Sequence, residues 1–264
     1  MPPPEKRHAL VTGASGGIGL GVARELARRG WNLTLTARSG DLLARHARQL
    51  RDRHGIAVEV VALDLAQAGA TEALYTRTEG AGRSVGLLVN NAGIGYFGPF
   101  VGSDPRGVEA TIQVNITVLT SLTRRFVEPM VDRGAGRILN VASTAAFQPG
   151  PLLAVYYASK AYVVSFSEAL REELRGTGVT VTALCPGPTR SGFQERAGME
   201  QSALFNRFAI PDSDQVGRFG VEAALRGRGI AVHGPVNRLV AASTRLVPRG
   251  WLPAIVRRIQ EQRA

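Results

Sequence analysis

Val11-Thr12-Gly13-Ala14-Ser15-Gly16-Gly17-Ile18-Gly19 satisfies two chemical signatures at once. Gly13 to Gly17 fits G-x-S-x-G, the turn that presents a hydrolase's nucleophilic serine. Thr12-Gly13-x-x-x-Gly17-x-Gly19 fits a glycine-rich turn that lets a nucleotide phosphate approach the backbone. Both motifs sit between a strand and a helix, so position in the chain has to separate them. A hydrolase elbow follows several strands, because its oxyanion hole borrows an amide from an earlier strand-to-helix loop. Only ten residues precede Val11, which leaves no such loop. The order Ser15, Asp64, His233 offers a nominal triad, but four histidines in the chain make that order easy to satisfy. The phosphate reading is therefore favoured over a serine hydrolase.

Working outward from that turn, apolar runs alternate with amphipathic ones. HALVT reads as a strand, Ile18 to Arg29 as a helix stopped at Gly30, WNLTLTAR as a strand, and Asp41 to His54 as a helix closed by Gly55. IAVEVVALDL and LLVNNAG continue as strands; a long helix follows through Arg106 to Arg133, then strand GRILNVAS, helix Tyr156 to Arg175 and strands VTVTALCPG and GIAVHG. Such alternation predicts an α/β fold, a doubly wound parallel sheet of seven strands with helices on both faces, in a single domain over 1–264.

At 264 residues, 44% hydrophobic and 20% charged, the chain has the composition of an ordinary globule. MPPPEKRH carries no apolar segment or cleavage site, so a cytoplasmic protein is expected. The lone Cys185 reads as a small strand-end residue. The net charge of +11 comes from arginines scattered over helical segments, without the aromatic interleaving of a nucleic-acid groove, so no nucleic-acid partner is expected. No clustered ligand set points to a metal. Lys6 and Lys160 are the only lysines among 32 basic residues. At a motif position, lysine instead of arginine points to a need for a titratable ammonium.

A dinucleotide turn requires a ribose reader about 20 residues on, at the end of the second strand. Arg38 and Ser39 stand there, suited to a 2′-phosphate, which favours NADP(H) over NAD(H). Asp41 reads as the cap of the second helix. Gly16 occupies the place where NADP-binding turns often carry a second basic residue.

Hydride transfer to a carbonyl also needs a proton donor. In Tyr156-Tyr157-Ala158-Ser159-Lys160, the four-residue spacing puts Tyr156 and Lys160 on one helix face, and Tyr157 about 100 degrees away. The ammonium and an oxidised nicotinamide are expected to lower the phenol's pKa. Ser143 ends the fifth strand, where its hydroxyl can hold a substrate carbonyl, and Asn115 sits inside the long helix, a poor place for asparagine by propensity. Asp64-Leu65, Asn90-Asn91-Ala92-Gly93 and Pro186-Gly187 all fall at carboxyl ends of strands.

Taken in order, TGASGGIG, Asp64-Leu65, NNAG, Asn115, Ser143, YxxxK and PG resemble the short-chain dehydrogenase/reductase family in its one-domain form, from about His8 to Gly187. The resemblance implies a Rossmann fold and an NAD(P)-dependent oxidoreductase. It implies that Gly13, Ser15, Gly16, Gly17, Ile18 and Gly19 wrap the pyrophosphate, that Asp64 and Leu65 hold the adenine, and that Asn91, Ala92 and Gly93 lie along the cofactor. Tyr156 would be the general acid, Ser143 would polarise the carbonyl, Lys160 would bind the nicotinamide ribose, and Asn115 would hold a relay water. After Pro186-Gly187 either Thr189 or Ser191 would cap the cofactor. Homodimers or homotetramers paired through the fourth and fifth helices are also implied. A cofactor-binding regulatory or scaffold protein of the same fold is the second reading, against which the complete Asn115, Ser143, Tyr156 and Lys160 set weighs.

Three loops should line the substrate. Tyr96, Phe97, Phe100, Phe147, Leu152, Leu153, Phe193 and Phe205 make them apolar, which points to a lipophilic ketone, aldehyde or secondary alcohol. Segment 188–210 is expected to form a lid. Segment 236–264 is a basic amphipathic extension. It is read as covering the pocket side or a subunit contact in preference to lying on an anionic membrane.

Overall fold

The computed structural model describes residues 7–198 and 210–261. Among them, seven parallel strands form one sheet: β1 (His8–Thr12), β2 (Asn32–Ala37), β3 (Val58–Ala62), β4 (Leu87–Asn90), β5 (Gly136–Val141), β6 (Val179–Cys185) and β7 (Ile230–Val232). Their order is β3-β2-β1-β4-β5-β6-β7, so successive strands step outward in opposite directions from the β1/β4 pair. A crevice opens at the carboxyl ends of the strands where the order reverses.

Period-two alternation assigns the strand side chains to two faces. Ala9, Val11, Leu33, Leu35, Leu87 and Val89 pack under α1 (Gly17–Arg28) and α2 (Gly40–His54). Leu10, Leu88, Ile138 and Val181 pack on the other side under α3 (Ala70–Arg77) and, after α4 (Pro105–Ile112), under α5 (Leu119–Asp132). Further along that face, α6 (Ala154–Glu173) places Val163 and Val164 against Ala183 and Cys185. Cys185 is thus a buried strand-end residue.

The structure differs from the sequence reading in four places. The long helix is interrupted between α4 and α5 by a π-helical turn, Gln113–Val118, which contains Asn115. The residue at the start of α2 is Ser39, and Asp41 lies in the first turn, where its charge still suits the positive end of the helix. Helix α3 was not anticipated. Neither was α8 (Ser213–Leu225), which crosses α1 so closely that a Cβ on Gly217 would come within 2.4 Å of the Gly21 carbonyl carbon.

The described part of the 188–210 segment carries the short α7 (Phe193–Arg196); Phe205 and the rest of 199–209 lie outside the described residues. The extension folds into α9 (Pro235–Ser243) and α10 (Leu252–Gln260). Among the described residues no helix is long and apolar enough to cross a membrane.

Candidate active site

The glycine turn is fastened to the loop after β4. Thr12 Oγ1 donates to Val89 O at 3.1 Å and accepts from the amides of Asn91 and Ala92 at 2.9 and 3.0 Å. Asn91 Nδ2 donates to the carbonyls of Thr12 and Gly13 at 2.9 and 3.1 Å. A Cβ on Gly19 would lie 2.4 Å from both Gly13 O and Asn91 Nδ2, so the helix can begin this close to the sheet only with glycine there. Gly17 adopts φ +54, and a side chain on it would also meet Ser191 O at 2.8 Å. The first turn of α1 has no side-chain cap and no acidic residue. Its free N–H groups and positive helix end suit a phosphate.

The turn opens into a cleft of about 540 Å³ that runs along the carboxyl ends of the strands. Gly13, Ser15, Gly16, Gly17, Ile18, Arg38, Ser39, Asp64 and Leu65 line one part of it. Asn91, Ala92, Gly93, Ser143, Tyr156, Lys160, Pro186, Gly187 and Thr189 line the rest. Gly19 and Asn115 do not face it; Gly19 is buried behind the turn. These residues fit a nicotinamide dinucleotide, because a phosphate-binding helix end, bare glycine backbone and Arg38 all meet in one elongated space. Arg38 is exposed and makes no ion pair among the described residues. Thr189 Oγ1 donates to Gly187 O at 2.9 Å, and both Thr189 and Ser191 line the cleft.

Ser15, Asp64 and His233 are not joined by any hydrogen bond among the described residues. Asp64 Oδ1 accepts the Ala66 amide at 3.0 Å, and the His233 ring packs edge-on to Phe219 with centroids 5.1 Å apart. A hydrolytic triad is not assembled.

At the other end, α6 carries Tyr156 and Lys160 into the cleft. Burial pushes the Tyr156 phenol up to about 12, against a smaller downward pull from the neighbouring Ser143 hydroxyl. The expected lowering by Lys160 is not found. Its Nζ lies 5.7 Å from the Tyr156 ring centroid and donates to Val141 O at 2.8 Å. Burial brings Lys160 down to about 8. Burial thus favours the protonated phenol at Tyr156 and disfavours the charged form of Lys160.

Asn115 is occupied structurally. Its Oδ1 accepts the Ile94 amide at 2.9 Å, while Nδ2 donates to Ile94 O and to Ser159 Oγ, each at 2.9 Å. Both amide hydrogens are used, so a water could be held only by the remaining Oδ1 lone pair or by backbone. A methyl on Gly93 would sit 3.4 Å from both Asn115 Oδ1 and Lys160 Nζ, so both groups approach the face of that glycine where a side chain would stand.

Beside the phenol, Phe97, Leu153, Phe193 and Val256 gather around Tyr156 and Tyr157. Tyr96, Phe100 and Leu152 line a side pocket of about 20 Å³ that also touches Tyr156. Leu152 adopts φ +66, a conformation L-residues seldom hold, and its carbonyl accepts the Gly98 amide at 2.8 Å. Phe147 does not join this wall; it packs with Leu119 and Val163 on the other side of α6. Tyr157, Gln148 and Gln194 line the cleft without having been singled out from sequence. The Tyr157 hydroxyl accepts Gln260 Nε2 at 2.6 Å, a contact across 103 residues that no local pattern signals.

The profile of the short chain dehydrogenase family matches residues 7–202. The chain is 37% identical over 184 residues to the very-long-chain 3-oxoacyl-CoA reductase of Anas platyrhynchos, covering 67% of this chain and 58% of that protein. It is 33% identical over 181 residues to the ketoacyl reductase HetN of Nostoc sp., covering 69% and 63%. The chain thus spans about three fifths of the length of these curated relatives. Among solved structures, a short-chain dehydrogenase from Sphingobium yanoikuyae in complex with NADPH is 31% identical, with 98% of each chain covered and a TM-score of 0.81. The bulky-bulky ketone specific alcohol dehydrogenase from Comamonas testosteroni is 27% identical, with 98% and 96% covered and a TM-score of 0.78. On this fold, this cleft and these matches, the chain belongs to the short-chain dehydrogenase family of oxidoreductases.

Proposed function

We propose that the chain interconverts a lipophilic ketone or aldehyde and its alcohol, with NADP(H) used in preference to NAD(H). The observation that carries this reading is that one cleft runs from the glycine turn to Ser143, Tyr156 and Lys160. The dinucleotide supplies or accepts the hydride. In reduction, Tyr156 gives its hydroxyl proton to the substrate oxygen as negative charge develops there, and the Ser143 hydroxyl donates a second hydrogen bond to that oxygen. Lys160 sits one helical turn from Tyr156, with its amine available to hold the ribose and to return the proton. Asn115 acts as an anchor for the loop after β4 and keeps Gly93 beside Lys160. A phenol held at about 12 by burial is set up as a donor. In the oxidative direction it must be acidified by the positive charge of the oxidised nicotinamide.

The substrate class rests on Leu153 and Phe193, which line the cleft, backed by Phe97 and Val256 in the same apolar cluster. Two relatives support it by name, one acting on very-long-chain 3-oxoacyl-CoA and one specific for bulky-bulky ketones. The NADP preference rests on Arg38 and Ser39 at the cleft, since the related structures include complexes with NADPH and with NAD. A homodimer or homotetramer is part of the same reading, tested by light scattering.

The test is a panel of lipophilic ketones and alcohols assayed with both dinucleotides. Tyr156→Phe should lower kcat by about 10²–10⁴-fold while NADPH affinity stays within a few-fold. Turnover that survives this substitution would remove the phenol from the mechanism.

A further inference from the structure

Helices α9 and α10 face two ways. Leu252, Val256 and Gln260 recur every four residues and are buried, with Val256 against Leu153 and Tyr157 at the cleft wall. On α9 the buried residue is Ala241, and Asn237 closes against Gly187. Helix α9 packs on the Thr144–Phe147 turn after Ser143, and Val256 of α10 joins the apolar cluster that contains Ala145 of the same turn.

The outward side is apolar as well. Leu239 and Val240 on α9 are exposed, 72% and 47% respectively, Leu239 on the side away from Ala241 and Val240 on its flank. Leu246, in the connection, is 87% exposed. On α10, Trp251 (67%), Ile255 and Ile259 form a second stripe at four-residue spacing. Such a set of exposed large apolar residues calls for a covering surface.

Charge identifies the occupant. No Asp or Glu occurs between Glu222 and Glu261, while Arg238, Arg245, Arg249, Arg257 and Arg258 are all exposed. Among the described residues only Arg257 has an acidic partner, Glu261 at 2.5 Å. Paired with its own copy across a twofold axis, this face would set arginines against arginines. A surface that offers fixed negative charge over an apolar interior satisfies both halves of the face.

We propose that the α9–α10 face docks on an anionic lipid bilayer. The apolar stripes enter the headgroup boundary, the arginines pair with lipid phosphates, and Val256 on the inner side of α10 backs the cleft residues Leu153 and Tyr157.

The test is co-sedimentation of the full chain with vesicles of phosphatidylcholine alone and of phosphatidylcholine mixed with phosphatidylglycerol. Binding to the mixed vesicles should exceed binding to the neutral ones at least roughly tenfold and weaken as salt rises. Leu239→Glu with Trp251→Glu should abolish binding while leaving the light-scattering mass and the unfolding temperature at parental values. Arg245→Glu with Arg249→Glu is a second, purely electrostatic variant that should lose the same preference. Absence of binding to either vesicle, or equal binding by parent and variants, overturns the proposal. A lower mass in the variants overturns it too, in favour of a contact between copies. None of these readouts passes through turnover, so their failure leaves the oxidoreductase reading standing.

Discussion

The glycine-turn side of the cleft and its aromatic side are made of opposite materials. The first is bare backbone: Gly13 and Gly19 bring the start of α1 against the loop after β4, and Gly17 lies against Ser191, with no room for a methyl group at any of the three. The second is side chain: Phe97, Leu153, Phe193 and Val256 come from four separate segments and meet around Tyr156 and Tyr157. A steric requirement within one turn is written in a few consecutive residues. A packed wall depends on contacts between distant ones, and can be altered without disturbing the turn.

Substitution within the turn should break this contrast most sharply. Gly19→Ala drives a Cβ into Gly13 O and Asn91 Nδ2, each 2.4 Å away; the first cannot yield without moving backbone, and the second cannot without giving up its hydrogen bonds to Thr12 and Gly13. The expected cost is about 1–3 kcal/mol of stability, seen as a fall of several degrees in Tm, together with loss of dinucleotide binding. Gly16→Ala is the matched control, because nothing lies within 4 Å of its Cβ and its φ of 179 is ordinary extended backbone. It should leave Tm unchanged.

Lys160→Met addresses the catalytic helix. Because the folded pKa of Lys160, about 8, lies below its ordinary 10.5, the unfolded chain binds more protons between those values. Stability should therefore rise with pH from about 8 to about 9, before Cys185, pushed from 9 to about 12, and then Tyr156, pushed from 10 to about 12, begin to oppose it. Tm measured at pH 8 and pH 9 should show that rise in the parent and not in Lys160→Met. An equal rise in both would mean that the ammonium is not penalised by burial.

Arg38→Asp should move the ratio of kcat/KM for NADPH over NADH downward by roughly tenfold or more, since it removes a cation and adds a repelling carboxylate. Gly16→Arg should move the same ratio upward by only about two- to fivefold, the scale of an exposed ion pair. Opposite signs at two positions would locate the 2′-phosphate between them.

The parts of the molecule legible from sequence are those whose cause is local. Gly30 and Gly55, at φ +75 and +63, mark the ends of the first two helices, and the unbroken apolar strands announce a sheet covered on both faces. Helix α8 escaped because Gly217 and Gly220 look like breakers until α1 and Leu184 are packed against them. The direction of the Tyr156 shift escaped for a related reason: burial outweighs neighbours, and burial is not visible in a pentapeptide. Phe147 and Gln260 were misjudged or unseen because helix faces and 103-residue contacts are settled only by packing.

The π-helical turn at Gln113–Val118 has a consequence for anyone who edits this chain. A wide turn holds one residue more than an α-helical turn, so everything after it is rotated about 100 degrees from where an unbroken helix would point. Removing a single residue from that turn would regularise the helix. It would also spin the register of α5 against that of α4, pulling Asn115 from Ile94 and Ser159 while leaving every other amino acid in place. For this segment, chain length is a stricter constraint than residue identity.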